Sequence, residues 1–268
     1  MRKVTAFIGT QTKRNTYNAV KDLERNLKQY GEVDFEYVFL SDYNIEFCRG
    51  CKTCFDKGAE YCPIEDDKEL LLDKIEGSDG VVFATPSYAF QLSARMKNFL
   101  DRTAYMNHRP RYFDKAFMAI VTYGVFGGGS IVKYLSTAGE NLGFHVSKGC
   151  SMRTLEPMTE SRREKMKKEV KKASEKFYRE LTISEPPAPS LLRLVLFRMT
   201  RTSIKDLDNS YRDYQYYKEH GWFDADYYYP VELGLPKKLI GSLSDFIGTQ
   251  MIKRGRWLSV DKATDDVT

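Results

Sequence analysis

Long apolar runs are missing from this 268-residue chain. The nearest, LLRLVLF at 191–197, is short and interrupted by Arg193, whereas a membrane span needs about 20 predominantly apolar residues. No span is therefore expected. The opening residues, MRKVTAFIGT, contain no apolar leader, so a cytoplasmic location that keeps thiols reduced is the expectation. An excess of one charge is also lacking: 42 Lys and Arg face 37 Asp and Glu, a net +5 spread along the chain, which does not indicate nucleic-acid binding. Histidine is scarce. His108, His145 and His220 are scattered and read as surface or packing residues, so no side-chain acid or base stands out. Neither G-x-G-x-x-G nor G-x4-G-K-[ST] occurs, which argues against a dinucleotide fingerprint and a nucleoside triphosphatase loop.

What is present is concentrated. Cys48, Cys51, Cys54 and Cys62 fall in FCRGCKTCFDKGAEYCPIEDD with spacing C-x2-C-x2-C-x7-C. Thiols two residues apart on an irregular loop can aim their sulfurs at one centre. Gly50 and Gly58 permit tight turns, and Pro63 stops the chain continuing as helix. A 4Fe-4S cluster ranks first, because three cysteines at short equal spacing plus a distal fourth resemble ferredoxin-type ligation with a longer last gap. Zinc ranks second, since structural zinc sites pair well-separated C-x2-C knuckles. Unliganded buried cysteines are the plain alternative, and disulfides come last. Cys150 stands far off at the end of a strand-like segment and reads as a core residue.

Through residue 181 the chain alternates strand and helix patterns, the signature of a parallel sheet covered on both faces. VTAFIG (4–9), VDFEYVFL (33–40), GVVFATPSY (80–88), AFMAIVTYG (116–124) and FHVSKGCSM (144–152) are the five expected strands. Helices are expected at NAVKDLERNLKQYG, DKELLLDKIEG, LSARMKNFLDRTAYM and SIVKYLSTAGENLG, the second opened by a capping box from Asp66 and Glu69. TESRREKMKKEVKKASEKFYREL (159–181) is a charged helix with an apolar stripe of Met166, Val170, Ala173, Phe177 and Leu181. EPPAP at 185–189 breaks the pattern. The boundary divides residues 1–184 from an aromatic-rich helical extension, 185–268, expected to pack on the core or on a neighbouring subunit. Its last residues, DKATDDVT, read as frayed.

In an open α/β sheet, ligands bind where loops leave the carboxyl ends of the strands. The first such loop, GTQTKRNTYN, offers hydroxyls on Thr10, Thr12 and Thr16, the amide of Asn15 and the cations Lys13 and Arg14 at a helix start, a setting that suits the phosphate of a mononucleotide. ATPSYAF (84–90) presents backbone amides and Tyr88 beside a flat heteroaromatic ligand. TYGVFGGGS (122–130) has three successive glycines that allow close backbone approach.

GTQTKRNT, CRGCKTC with Cys62 and IEDD, TPSYAFQLSARMKNFLDR and VTYGVFGGG together resemble the NADPH-dependent FMN reductase group of flavodoxin-like proteins, and within it the iron-sulfur flavoproteins. The resemblance covers about residues 1–180 and implies an α/β flavodoxin-like fold with a doubly wound, five-stranded parallel sheet. It implies that Thr10, Thr12, Lys13, Arg14, Asn15 and Thr16 hold an FMN phosphate. Thr10 and Thr12 depart from the serine and arginine usual in that loop. Thr85, Pro86, Ser87, Tyr88 and Phe90 would line the isoalloxazine ring, with Thr122, Tyr123, Gly124, Gly127 and Gly128 at its other edge. Ser93, Lys97, Asp101 and Arg102 are taken as structural or subunit-contact residues, the lysine and arginine on the helix surface. Cys48, Cys51, Cys54 and Cys62 would ligate the cluster. The implied protein is an FMN oxidoreductase that trades electrons with NAD(P)H or a small organic partner, and with a ferredoxin-like protein, as a homodimer or homotetramer. Two alternatives stay open: a cluster-free NAD(P)H-dependent reductase of quinones, azo compounds or flavin, and a non-enzymatic FMN electron carrier that docks a protein partner.

Overall fold

A computed structural model describes residues 1–255; the tail expected to fray, residues 261–268, lies outside the described residues. The described residues form two compact units, one comprising residues 1–50 and 63–185, the other residues 51–62 and 186–255.

The first unit is built on parallel strands β1 (Arg2–Ile8), β2 (Val33–Phe39), β3 (Gly80–Tyr88) and β5 (Ala116–Tyr123), with β4 (Gln91–Leu92) folding back on β3. The sheet order is β2-β1-β3-β5-β6, the doubly wound arrangement in which the first βα loop sits at the reversal of strand order. The fifth strand is split into β6 (His145–Val146) and β7 (Cys150–Arg153), both parallel to β5. Gly149 sits in the break, where a Cβ would lie 2.4 Å from the Ala119 carbonyl oxygen.

The two faces of the sheet are chemically different. One is mainly aliphatic: Val4, Ala6 and Ile8 of β1 pack with Val82 and Met118 under Val20, Leu23 and Leu27 of α1 (Asn15–Tyr30). Helix α6 (Glu160–Leu181) completes this face with Met166, Val170, Ala173, Phe177 and Leu181, all buried, as its apolar stripe predicts. The other face is aromatic. Phe7, Phe83, Phe99 and Phe117 form a chain of ring contacts with centroids 5.0–6.0 Å apart, beside helices α3 (Lys68–Glu76), α4 (Ala94–Arg102) and α5 (Gly128–Leu142). Each fully buried side chain of this kind is worth about 1.5–3 kcal/mol relative to exposure.

The second unit is helical. It contains α2 (Thr53–Asp56), α7 (Leu191–Lys205), α8 (Arg212–Glu219) and α9 (Leu235–Lys253). Phe197, Tyr217, Trp222, Tyr227 and Tyr228 make edge-to-face contacts in its core, and the Trp222 indole N–H donates to the Tyr228 carbonyl at 2.9 Å. Asp245 accepts from both Arg198 and Arg201, at 2.9 and 2.6 Å, which ties α7 to α9. Among the described residues, no helix is long and apolar enough to cross a membrane.

Candidate flavin site and cysteine loop

Three loops leave the carboxyl edge of the sheet side by side, because β3 lies between β1 and β5. The first runs from Gly9, whose N–H donates to the Ala84 carbonyl at 2.8 Å, to the start of α1. Thr10 and Thr16 are buried. The Thr10 and Thr12 hydroxyls lie 3.2 Å apart, and the Thr12 N–H also donates to Thr10 Oγ1 at 3.2 Å. Thr16 reaches over β3 to share a 2.6 Å hydrogen bond with Thr122 at the end of β5, so the first and third loops are joined through two buried hydroxyls.

The amino end of α1 has no side-chain cap and no acidic residue in its first turn. Its opening N–H groups therefore lack an internal acceptor, and the helix dipole favours an anion there. Asn15 Nδ2 donates to Glu156 Oε1 at 3.3 Å; that contact, with the Met158 N–H, holds the Glu156 carboxyl below its ordinary range. Arg14 is exposed, while the Lys13 ammonium rests over the Tyr17 and Phe39 rings at 5.9 and 5.7 Å. A groove of about 330 Å³ between α1 and α6 is lined by Lys21, Arg25, Arg163 and Lys167 and takes only Asn15 from the predicted site residues.

The second loop follows a strand with the expected bounds, 80–88. At its end Ser87 and Tyr88 pair with Leu92 and Gln91 of β4. The turn falls on Ala89 and Phe90, both at positive φ (48° and 64°), as the two central residues of a type I′ hairpin require. Thr85 stays fully buried, accepting from the Ser93 N–H at 3.0 Å and donating to Ser93 Oγ at 3.2 Å. Ser93 in turn caps α4. Tyr88 and Phe90 are exposed.

In the third loop the glycines begin a helix rather than a free turn. Gly127 is the left-handed cap of α5 (φ 96°), and Gly128 is its first residue. A Cβ on Gly128 would lie 2.3 Å from the Tyr123 ring, so only glycine fits. Arg153 Nε donates to the Gly124 carbonyl at 3.1 Å. Phe126 stacks on Phe90 at 4.8 Å, with ring planes 12° apart, and both rings are more than half exposed. The second and third loops thus meet through an aromatic pair. The local sequence marks Phe126 only as an apolar residue among glycine neighbours.

The cysteine loop is anchored by Asp66, Asn98 and Arg102. Arg102 is not on the helix surface: it is buried and forms an ion pair with Asp66 at 2.9 Å, both side chains 2% exposed or less. Asp66 also accepts the Glu46 N–H at 2.9 Å and the Lys68 N–H at 3.2 Å, and Asp67 is the residue that precedes α3. The capping box from Asp66 and Glu69 therefore does not form; the Asp66 carboxylate is engaged by Arg102, and Glu69 pairs with Lys68. Asn98, one turn before Arg102, donates to the carbonyls of Ile45 and Glu46 at 3.0 and 3.2 Å and accepts the Cys48 N–H at 3.4 Å. The N-terminal stem of the loop is held by Asn98 and Asp66, and its C-terminal stem by Arg102. Lys97 and Asp101, by contrast, form an exposed pair.

Cys48 and Cys51 are exposed, Cys54 and Cys62 half-buried, and Cys150 buried. Gly50 and Lys52 take left-handed conformations around Cys51, and Thr53 Oγ1 donates to Cys51 Sγ at 3.4 Å. Four accessible thiols are the soft donor set that iron-sulfur clusters or zinc select. Among the described residues, no three His, Cys, Asp or Glu side chains are gathered in an arrangement ready to hold a metal ion. The donor chemistry fits a cluster; the ligand geometry is not preformed.

Sheet order and covering helices together define a flavodoxin-like α/β protein. RosB with a bound 8-demethyl-8-formylriboflavin-5'-phosphate has the same fold, at TM-score 0.57 and 13% identity, covering 88% of this chain and 92% of that one. The family model for NADPH-dependent FMN reductase matches residues 2–154, and the chain belongs to that family. An iron-sulfur flavoprotein of Archaeoglobus fulgidus is 36% identical over 127 residues, 47% of this chain and 56% of the relative, so the match spans little more than half of that protein. An iron-sulfur flavoprotein of Clostridioides difficile is 29% identical over 214 residues, 78% of this chain and 89% of the relative.

Proposed function

We propose that this chain is an FMN-dependent oxidoreductase drawing on NAD(P)H or a small organic donor. The observation that carries the reading is the uncapped start of α1 beside the buried Thr10, Thr16 and Thr122 hydroxyls at the carboxyl edge of the sheet. The N–H groups of α1, with Thr10, Thr12, Asn15 and Thr16, bind the phosphate; Lys13 and Arg14 supply positive charge. Thr85, Pro86, Ser87, Tyr88 and Phe90 orient the isoalloxazine ring from one side. Thr122, Tyr123, Gly124, Gly127 and Gly128 do so from the other, the glycines keeping backbone N–H groups close. When bound, FMN supplies two-electron exchange with a nicotinamide and single-electron exchange with a carrier. The protein's part is position and water exclusion, with the Phe90–Phe126 pair shielding the ring edge.

Cys48, Cys51, Cys54 and Cys62 are proposed as ligands of a 4Fe-4S cluster, which would supply single-electron transfer. The soft donor set and the names of the relatives support this. Anaerobic addition of NADPH to FMN-loaded protein tests the central reading: bleaching of the flavin absorbance is the expected result, and an unchanged flavin spectrum with NADPH and NADH would overturn it. Iron and sulfide assays on the wild type and Cys51→Ser test the second: about four irons per chain, lost in the variant, is the expected result. Flavin activity without iron would leave a cluster-free reductase.

A further inference from the structure

Large apolar side chains are exposed in concentrated form on two helices of the second unit. Helix α9 presents Leu235, Leu239, Leu243, Phe246 and Ile247, each 43–78% exposed and spaced so that all share one face. Helix α7 adds Leu191, Leu192 and Leu196. The cause lies in how the two helices pack. α9 turns its small residues, Gly241, Ser244 and Gly248, inward: a Cβ on Gly241 would lie 3.2 Å from Arg198 Nε, and one on Gly248 3.4 Å from the Thr202 side chain. Close packing on the glycine face leaves the bulky face with nothing against it among the described residues.

Charge selects the occupant. On α7, Arg198 and Arg201 are buried in ion pairs with Asp226 and Asp245, and Lys205 lies 4.0 Å from Asp224; on α9, Lys238 and Lys253 are exposed, and its one acid, Asp245, is already engaged. Lys253 and Arg254 follow Phe246 and Ile247 on the same face, at its C-terminal end, and Lys238 is exposed at the other end. A second copy laid against this stripe would bring basic ends onto basic ends in either orientation, with no free carboxylate on α7 or α9 to meet them. An apolar strip with cations at both ends matches a bilayer surface that carries negative headgroups, where the lysine stems extend along the acyl boundary and their ammonium groups meet phosphates.

We propose that the α7–α9 pair is a peripheral membrane-docking surface for anionic lipid, seating the protein on a bilayer without crossing it. The inference is independent of the flavin reading.

Sedimentation of the full chain with phosphatidylcholine vesicles, with and without phosphatidylglycerol, tests it. Partition onto the anionic vesicles at low salt, weaker at high salt and weaker on neutral vesicles, is the expected result. Leu239→Glu with Phe246→Glu should weaken partition about tenfold or more, since each removes one inserted apolar side chain. Lys253→Glu with Arg254→Glu should weaken it on anionic vesicles only. All four positions are exposed, and circular dichroism with a thermal melt confirms that the variants fold. No partition onto anionic vesicles, or partition indifferent to both variants, would overturn the proposal. So would a dimer or tetramer in light scattering that falls apart in Leu239→Glu with Phe246→Glu, or a soluble acidic protein that alone occupies the stripe.

Discussion

Thr16 in α1 and Thr122 at the end of β5 are 106 residues apart, yet their hydroxyls are 2.6 Å from each other and buried. Replacing either by valine strands the other hydroxyl away from water, at about 1–3 kcal/mol. Thr122→Val should therefore lower the thermal midpoint and weaken FMN binding together. Calorimetry and fluorescence titration check this, and unchanged FMN affinity would remove Thr122 from the site. Cysteine chemistry divides at the same scale. Burial pushes the Cys150 thiol up to about 12, so at neutral or mildly alkaline pH it is overwhelmingly protonated, and only the thiolate alkylates. In metal-free native protein at pH 8, iodoacetamide should label the loop cysteines and spare Cys150 until denaturant is added, as read by mass spectrometry.

The β3–β4 hairpin and helix α4 carry the element-scale predictions. A type I′ turn favours Asn-Gly, and here Ala89 and Phe90 occupy its two positive-φ positions. Each residue bears about 1–2 kcal/mol of local strain. Ala89→Asn with Phe90→Gly should raise the unfolding midpoint while weakening flavin binding, because the Phe126 stack is lost. A variant that is stabilised but binds flavin unchanged would show that the pair does not serve the site. On α4, Arg102→Met leaves the Asp66 carboxylate buried without its partner, a change that costs about 3–5 kcal/mol, and denaturant unfolding measures it. The strand and helix pattern was legible because apolar periodicity reports burial on each element directly. Arg102 and Asn98 were not: at helical spacing they read as ordinary polar surface, and only the folded return of residues 45–66 onto α4 makes them anchors.

At the scale of the molecule, the sheet order and covering helices followed from alternating patterns, and the position of the three loops at the carboxyl edge followed from where those strands end. The Phe90–Phe126 contact and the position of the hairpin turn were hidden, since both depend on pairing between separate segments rather than on local composition. The exposed α9 stripe was hidden for the opposite reason: its apolar periodicity looks like that of a buried helix, and only the glycine face packed on α7 shows which side is covered. The central claim is that the carboxyl edge of this sheet recognises a flavin through its phosphate. Titrating apo-protein with FMN and with riboflavin, which lacks that phosphate, tests it most directly. The account predicts that FMN binds about a hundredfold more tightly, the worth of two charge-assisted hydrogen bonds at the α1 terminus. Equal affinity for the two, or no binding of either, would contradict it.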